Sequence, residues 1–227
     1  MAMGRHSGLG VAGNFGFYFF SISESNVAVA ATLMYCAPIF VYLISFALKL
    51  ESPTLVKWAA IALVMVGVVL LTRVYQMEGN SITLLGVATG LLSGLSLALF
   101  IFGFKYATQH GSPQAILTIA FLTLVVVLGV LIDPAEAAQV PGSVDWPLFA
   151  IIGVLGGGAS FILYLIGLRR TPPALASIVA TIEPVTASLF GVIILGEILA
   201  YSQVLGMLLI LVTVTALGVY SGKESSD

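Results

Sequence analysis

The chain has 227 residues, of which 59% are hydrophobic and only 8% are charged. An ordinary soluble domain carries about a quarter charged residues, so this composition cannot cover the surface of a soluble protein of this size. A net charge of −2 gives no basis for nucleic-acid binding, and the single cysteine, Cys36, excludes a disulfide framework and a cysteine-based metal site. The composition therefore indicates an integral membrane protein whose main partner is the lipid bilayer, without cofactor or metal.

Apolar stretches long enough to cross a membrane recur along the whole chain. In chain order we predict eight transmembrane helices, at Gly8–Ile22, Val27–Leu48, Thr54–Thr72, Ser81–Phe104, Gly111–Ile132, Trp146–Leu168, Pro172–Leu195 and Ser202–Ser221. The connecting loops are short, the longest being Asp133–Asp145. The predicted fold class is an all-α polytopic bundle of transmembrane helices.

The basic residues predict how the helices are oriented, because Lys and Arg accumulate in cytoplasmic loops. With a cytoplasmic N-terminus, seven of the eight Lys and Arg residues fall on the cytoplasmic side, and only Arg73 falls outside. We therefore expect a multi-pass protein of the plasma membrane, of the bacterial inner-membrane type, with both termini cytoplasmic. Arg5 followed by an apolar stretch also fits a signal peptide, although further membrane segments rather than a mature soluble domain follow it.

The chain resembles itself at an offset of 146 residues, the separation of Pro38 and Pro184. Without gaps, 13 of 64 positions from Gly8 to Leu71 are identical to their counterparts. The paired prolines and the paired acids Glu51 and Glu197 are the most informative matches, because both residue types are rare in this chain.

This offset carries the first three predicted helices onto the last three, a step of five helices, so the two copies cross the membrane in opposite directions. Inverted repeats of this kind are typical of secondary transporters. We expect a partial first repeat at 8–72, a complete second repeat at 81–221 and a cytoplasmic tail at 222–227. Relative to a plan of five helices per repeat, two N-terminal helices are expected to be missing.

The stretches Asn26–Leu71 and Pro172–Leu217 resemble the EamA repeat. The second stretch is the better match, with the segments "IEPV" and "LGE", while the first has the looser versions "APIF" and "KLE". The resemblance implies the drug/metabolite transporter superfamily, whose usual members have ten helices arranged as five plus five. It implies transport as the activity but fixes no substrate.

Glu183 is the only charged residue well inside a predicted span. A carboxylate at mid-membrane is costly, so it is a candidate substrate, proton or cation site. The alternative is a structural acid that hydrogen-bonds to a neighbouring helix beside Pro184.

Pro38 and Pro184 remove a backbone donor and free a carbonyl inside predicted helices, and freed carbonyls at equivalent positions in two halves indicate a substrate or gating site. The alternative is a plain packing kink. Two further equivalent pairs, Asn14 with Ser160 and Tyr18 with Tyr164, are candidate lining residues of a central cavity; packing is their alternative role.

Two further sets of residues, at helix junctions and on helix faces, are candidates for gating or for helix packing. Glu51 and Glu197 are predicted at helix junctions, as loop acids or as gate contacts. Gly90 with Gly94 and Gly153 with Gly157 have the spacing that lets helices approach closely, and a hinge role is their alternative.

The predicted function is a secondary transporter that moves a small neutral, zwitterionic or cationic solute by alternating access, as a metabolite or amino-acid exporter. None of the Lys and Arg residues lies at mid-membrane, which disfavours anionic substrates. Proton or cation coupling and a homodimer are left open, and no enzyme is expected, since neither a zinc-ligand set nor a paired-aspartate motif is present. The alternative is an N-terminally truncated, non-transporting fragment of such a transporter.

Overall fold

The computed structural model describes residues 2–50, 52–76, 83–131, 134–196 and 198–224. Its helices are α1 (Ala2–Glu24), α2 (Val27–Met34), α3 (Ala37–Ala47), α4 (Leu55–Thr72), α5 (Leu84–Ala107), α6 (Pro113–Leu131), α7 (Pro134–Gln139), α8 (Trp146–Ile151), α9 (Ser160–Arg170), α10 (Pro173–Ala180), α11 (Ile182–Leu195) and α12 (Tyr201–Glu224). The polypeptide is all-helical in the described ranges, which confirms the predicted fold class.

Seven helical stretches of the described chain are long and apolar enough to cross a membrane. They are Val27–Ala47, Leu55–Thr72, Leu84–Ala107, Pro113–Val130, Trp146–Arg170, Pro173–Ile194 and Tyr201–Tyr220. The first predicted segment, Gly8–Ile22, lies inside the longer helix α1, which is not among these seven stretches, so seven of the eight predicted spans are found in the described chain.

Four details differ from the expected helices. The spans Val27–Ala47 and Pro173–Ile194 are each interrupted, the first between α2 and α3 and the second between α10 and α11. The span Trp146–Arg170 contains a π-helical segment, Ile152–Ala159, between α8 and α9. The expected loop Asp133–Asp145 contains the short helix α7 and a 3₁₀ turn. Helix α12 continues to Glu224, so the first residues of the expected tail 222–227 are helical.

The contacts divide the chain into two units, which we describe separately. Unit 1 comprises Met1–Gly13 and Leu99–Thr171. Aromatic side chains on α5, α6 and α9 form a cluster of edge and stacked contacts around Phe161, which lies 5.9 Å from Phe100 and 5.4 Å from Phe121 between ring centroids. The Lys105 ammonium donates to the backbone oxygens of Leu168, Arg169 and Thr171 at 2.9–3.0 Å, which caps the carboxyl end of α9.

Unit 2 comprises Asn14–Ala98 and Pro172–Asp227. Its core is the packing of α4 against α12, with Val64, Val68 and Ile210 fully buried in it. The two helices touch through their backbones, since a Cβ atom on Gly206 would lie 2.6 Å from the Gly67 oxygen. Helices α2, α3, α10 and α11 pack around this pair and position the candidate site.

Candidate functional site in unit 2

Two membrane spans of unit 2 are broken, each close to a proline. The first breaks at Tyr35 and Cys36 between α2 and α3, and the second breaks at Thr181 between α10 and α11. The 146-residue offset carries the bounds of α2, Val27–Met34, onto those of α10, Pro173–Ala180. The two breaks are therefore equivalent under the internal repeat.

The prolines lie in the first turn of the second half-helix. Pro38 is the second residue of α3 and Pro184 is the third residue of α11. The first four N–H groups of a helix have no partner within it, so a proline there loses no helical hydrogen bond. Pro38 and Pro184 thus mark the start of a new helix, whereas the sequence led us to expect a donor lost inside a continuous one.

At each break, short local hydrogen bonds connect the end of one half-helix to the start of the next. At the first break, the Cys36 N–H donates to the Leu33 oxygen at 3.2 Å. At the second, both the backbone N–H and the hydroxyl of Thr181 donate to the Ile178 oxygen, at 3.1 and 2.5 Å. These bonds satisfy backbone groups that a break inside a membrane would otherwise leave exposed to lipid.

A cavity of about 590 Å³ opens beside the two breaks. Its lining comes from α1, the start and end of α2, the end of α4 and the first half of α11: Tyr18, Asn26, Val27, Ala28, Ala31, Tyr35, Leu71, Thr72, Pro184, Ala187 and Ser188. A cavity of this volume is in the usual range for small-molecule sites.

Glu183 lies next to this site. It lies in the first turn of α11, directly before the lining residue Pro184. Tyr35 and Tyr18 both lie within electrostatic reach of its carboxylate. The positive end of the α11 dipole also favours a negative charge at this position. Glu183 is exposed within the chain and is not itself among the residues that line the cavity.

The polar residues around the cavity are fixed by their own hydrogen bonds. Asn26 caps α2, with its side-chain oxygen accepting the Val29 N–H at 2.9 Å. The hydroxyls of Thr72 and Thr32 lie 2.7 Å apart and join the end of α4 to α2. The Ser188 hydroxyl donates to the Pro184 oxygen at 2.9 Å. The polar part of the lining is therefore a set of neutral groups held in place by their own hydrogen bonds, with the Glu183 carboxylate beside it.

Two of the predicted residues of unit 2 lie away from the cavity. Asn14 is buried against α5, where its amide donates to the backbone oxygen and the hydroxyl of Ser93, both at 3.1 Å. The Ser93 hydroxyl donates back to the Asn14 oxygen at 3.0 Å. Pro38 is buried in the packing of α3 and is not among the lining residues.

The predicted residues Ser160 and Tyr164 belong to unit 1. The Ser160 hydroxyl donates to the Gly156 oxygen inside the π-helical segment. The Tyr164 ring stacks on Phe100 with a centroid distance of 5.7 Å, and its buried hydroxyl has no protein partner among the described residues. Glu51 and Glu197 lie outside the described residues.

Sequence reasoning missed Tyr35 and Thr72. Tyr35 lies three residues before Pro38, at the break itself, and this position was the one available signal. Thr72 lies at the end of α4, where an aromatic or hydroxyl residue is equally consistent with a membrane interface.

Comparisons with known proteins agree with this architecture. The model of the EamA-like transporter family matches residues 7–73 and 84–219. An uncharacterized transporter of Archaeoglobus fulgidus is 32% identical over 202 residues, which cover 86% of this chain and 68% of the relative. The threonine/homoserine exporter RhtA of Salmonella typhimurium is 27% identical, with 88% of this chain and 65% of the relative covered.

The fold is also found in a solved structure. A protein of known crystal structure superposes with a TM-score of 0.79 at 16% identity, covering 97% of this chain and 77% of that one.

The chain spans 61% to 70% of the length of the curated relatives from Archaeoglobus fulgidus, Bacillus subtilis, Synechocystis and Salmonella. With the family model matching both segments, the chain belongs to the EamA-like transporter family and is a membrane transporter rather than an enzyme.

Proposed function

We propose that the chain is a secondary transporter that moves a small neutral, zwitterionic or cationic solute across the plasma membrane by alternating access. The observation that carries this proposal is the pair of broken helices at repeat-equivalent positions beside one cavity. Transporters bind their substrates at such breaks, where unwound backbone is tolerated because it lines a cavity.

The repeat organisation supports the same mechanism. We propose a partial first EamA repeat at 8–72 and a second repeat at 81–221, related by inverted topology. The equal bounds of α2 and α10 under the 146-residue offset support this division. So do the first residues of α4 and α12, Leu55 and Tyr201, which are related by the same offset. Two inverted copies around one site let the cavity open to either side of the membrane in turn.

The solute class follows from the chemistry of the lining. The residues around the cavity supply hydroxyls, one amide and the nearby Glu183 carboxylate, and they include no Lys, Arg or His in the described part of the chain. Such a site disfavours anions. A relative named as a threonine/homoserine exporter supports amino acids and related metabolites as the first solutes to test.

We further propose that the protein resides in the bacterial inner membrane with both termini cytoplasmic. The support is the distribution of Lys and Arg in short loops, which places Arg169 and Arg170 on the cytoplasmic side and Arg73 outside.

The test is transport by purified protein in sealed vesicles. We expect vesicles loaded with threonine or homoserine to exchange it with labelled solute outside, and Glu183→Gln to lower the rate at least about tenfold, equivalent to 1.4 kcal/mol. The matched control is Glu24→Gln, an acid at the end of α1 that contacts Thr83 rather than the cavity.

Two outcomes would contradict the proposal. Transport by the Glu183→Gln protein at the wild-type rate and pH profile would remove Glu183 from the site. A correctly inserted, monodisperse protein that exchanges no solute from an amino-acid and amine panel would favour the alternative, a non-transporting fragment of such a transporter.

A further inference from the structure

We propose that the cavity recognises its solute through a cationic amino group, with the Glu183 carboxylate as counter-charge and the rings of Tyr18 and Tyr35 around it. This inference rests on the proposed transport function and specifies the chemical class of the solute at the same site.

The first argument is the charge balance of the site. Glu183 is the only Asp or Glu inside the seven described spans. A carboxylate at this depth needs a positive partner or a proton. The residues lining the cavity provide no Lys, Arg or His in the described part of the chain, so the counter-charge of Glu183 is either a proton or a cationic group of the solute, and the two compete for one carboxylate.

The second argument is the pair of tyrosines. Tyr35 at the end of α2 and Tyr18 on α1 both lie within electrostatic reach of the Glu183 carboxylate. Both rings line the cavity. An aromatic face attracts a cation that lies within about 6 Å of it, and the attraction grows when the site excludes water. Carboxylate and rings together therefore favour an ammonium group over a neutral one.

The third argument concerns size and ligand number. A cavity of about 590 Å³ is far larger than a bare metal ion. Calcium and magnesium need six or more oxygen ligands, whereas the described residues contain no cluster of three or more His, Cys, Asp or Glu side chains. The remaining volume, with neutral polar groups from Asn26, Thr72 and Ser188, accommodates the body of an organic solute.

The experiment measures access to Glu183 directly and does not depend on transport. Purified wild-type protein is treated with dicyclohexylcarbodiimide, which modifies carboxyl groups in apolar surroundings, and labelling of Glu183 is followed by peptide mass spectrometry. Four small molecules are tested as competitors. Threonine, 1-amino-2-propanol and tetramethylammonium each carry a cationic nitrogen, and 1-amino-2-propanol keeps the amine of threonine but lacks its carboxylate. The fourth, 3-hydroxybutyrate, keeps the carboxylate but lacks the amine. We expect an amine probe at ten times its dissociation constant to slow labelling about tenfold, and 3-hydroxybutyrate to have no effect.

Variants at Tyr35 separate recognition from simple access. Tyr35→Leu should abolish protection by the amines, while Tyr35→Phe, which keeps the ring, should retain part of it. The control Tyr201→Phe changes an exposed tyrosine outside the cavity and should protect like wild type. Each variant is first shown to be monodisperse and to be labelled at Glu183 without a competitor.

The inference is overturned if 3-hydroxybutyrate protects as well as its amine counterpart, if none of the three cationic or zwitterionic probes protects, or if Tyr35→Leu leaves protection unchanged. These results are distinguishable from failure of the proposed function. Vesicles that exchange solute while no amine protects Glu183 would retain the transporter and reject the ammonium site.

Discussion

Asn14 and Tyr18 lie one helical turn apart on α1, yet they have different neighbours. Asn14 is 9% exposed and exchanges hydrogen bonds with Ser93 on α5, while Tyr18 is half-buried and lines the cavity beside Tyr35. A buried amide inside a membrane has no water to replace a lost partner. We therefore assign Asn14 to the contact between helices and Tyr18 to the solute site.

This assignment predicts the effect of removing the serine. Ser93→Ala should lower the free energy of unfolding by about 1 kcal/mol, because hydrogen bonds between membrane helices are of this order and the Asn14 amide would lose its side-chain partner. Thr215→Ala is the matched control, since that exposed hydroxyl bonds only to Leu211 in its own helix. Reversible unfolding in mixed micelles measures both, and equal stabilities of the two variants would contradict the assignment.

Between helices, the same sequence spacing leads to different contacts. A Cβ on Gly90 would lie 2.7 Å from Leu33, and a Cβ on Gly94 would lie 2.8 Å from the Leu33 oxygen, so α5 packs closely against the end of α2. A Cβ on Gly153 would meet no atom within 4 Å, and Gly153 lies in the π-helical segment. The expected close packing is thus confirmed for the first pair and is wrong for Gly153, because the spacing defines a helix face but not what lies opposite it.

The contact between α4 and α12 makes the sharpest prediction for an element. Gly206→Ala should lower the free energy of unfolding by about 1–3 kcal/mol, since its new methyl group would meet the Gly67 backbone, which cannot rotate away. Gly218→Ala, in the same helix with open space around it, should be neutral or slightly stabilising. Thermal unfolding in detergent compares the two variants, and equal losses would mean that α12 simply tolerates no added methyl group.

Across the whole molecule, the spans were largely predictable because the bilayer imposes a single requirement, a continuous apolar run of sufficient length. The repeat also indicated that Pro38 and Pro184 are equivalent, although the sequence predicted a lost donor inside a continuous helix and not a break between two helices. The proximity of Tyr35 to Glu183 was not predictable, because it depends on how two spans far apart in sequence pack. The different neighbours of Asn14 and Tyr18 were not predictable for the same reason.

The orientation of the whole chain in the membrane is a further testable prediction. In a Cys36→Ala background, Arg170→Cys should react with a membrane-impermeant maleimide only after the cells are opened, whereas Asp145→Cys should react in intact cells. The reason is the excess of Lys and Arg on the side that includes Arg170. Labelling of Arg170→Cys in intact cells would reverse the orientation.

The broken spans also have a consequence for how the chain enters the bilayer. Helices α2 and α10 have eight residues each, which rise about 12 Å, less than half of the roughly 30 Å hydrocarbon core. Neither could be inserted alone, but Val27–Ala47 and Pro173–Ile194 are each apolar over their full length. We therefore expect each span to enter the bilayer as one segment, and neighbours such as α5 and α4 then contact its halves in the folded chain, as they do at Leu33 and Thr32 of α2.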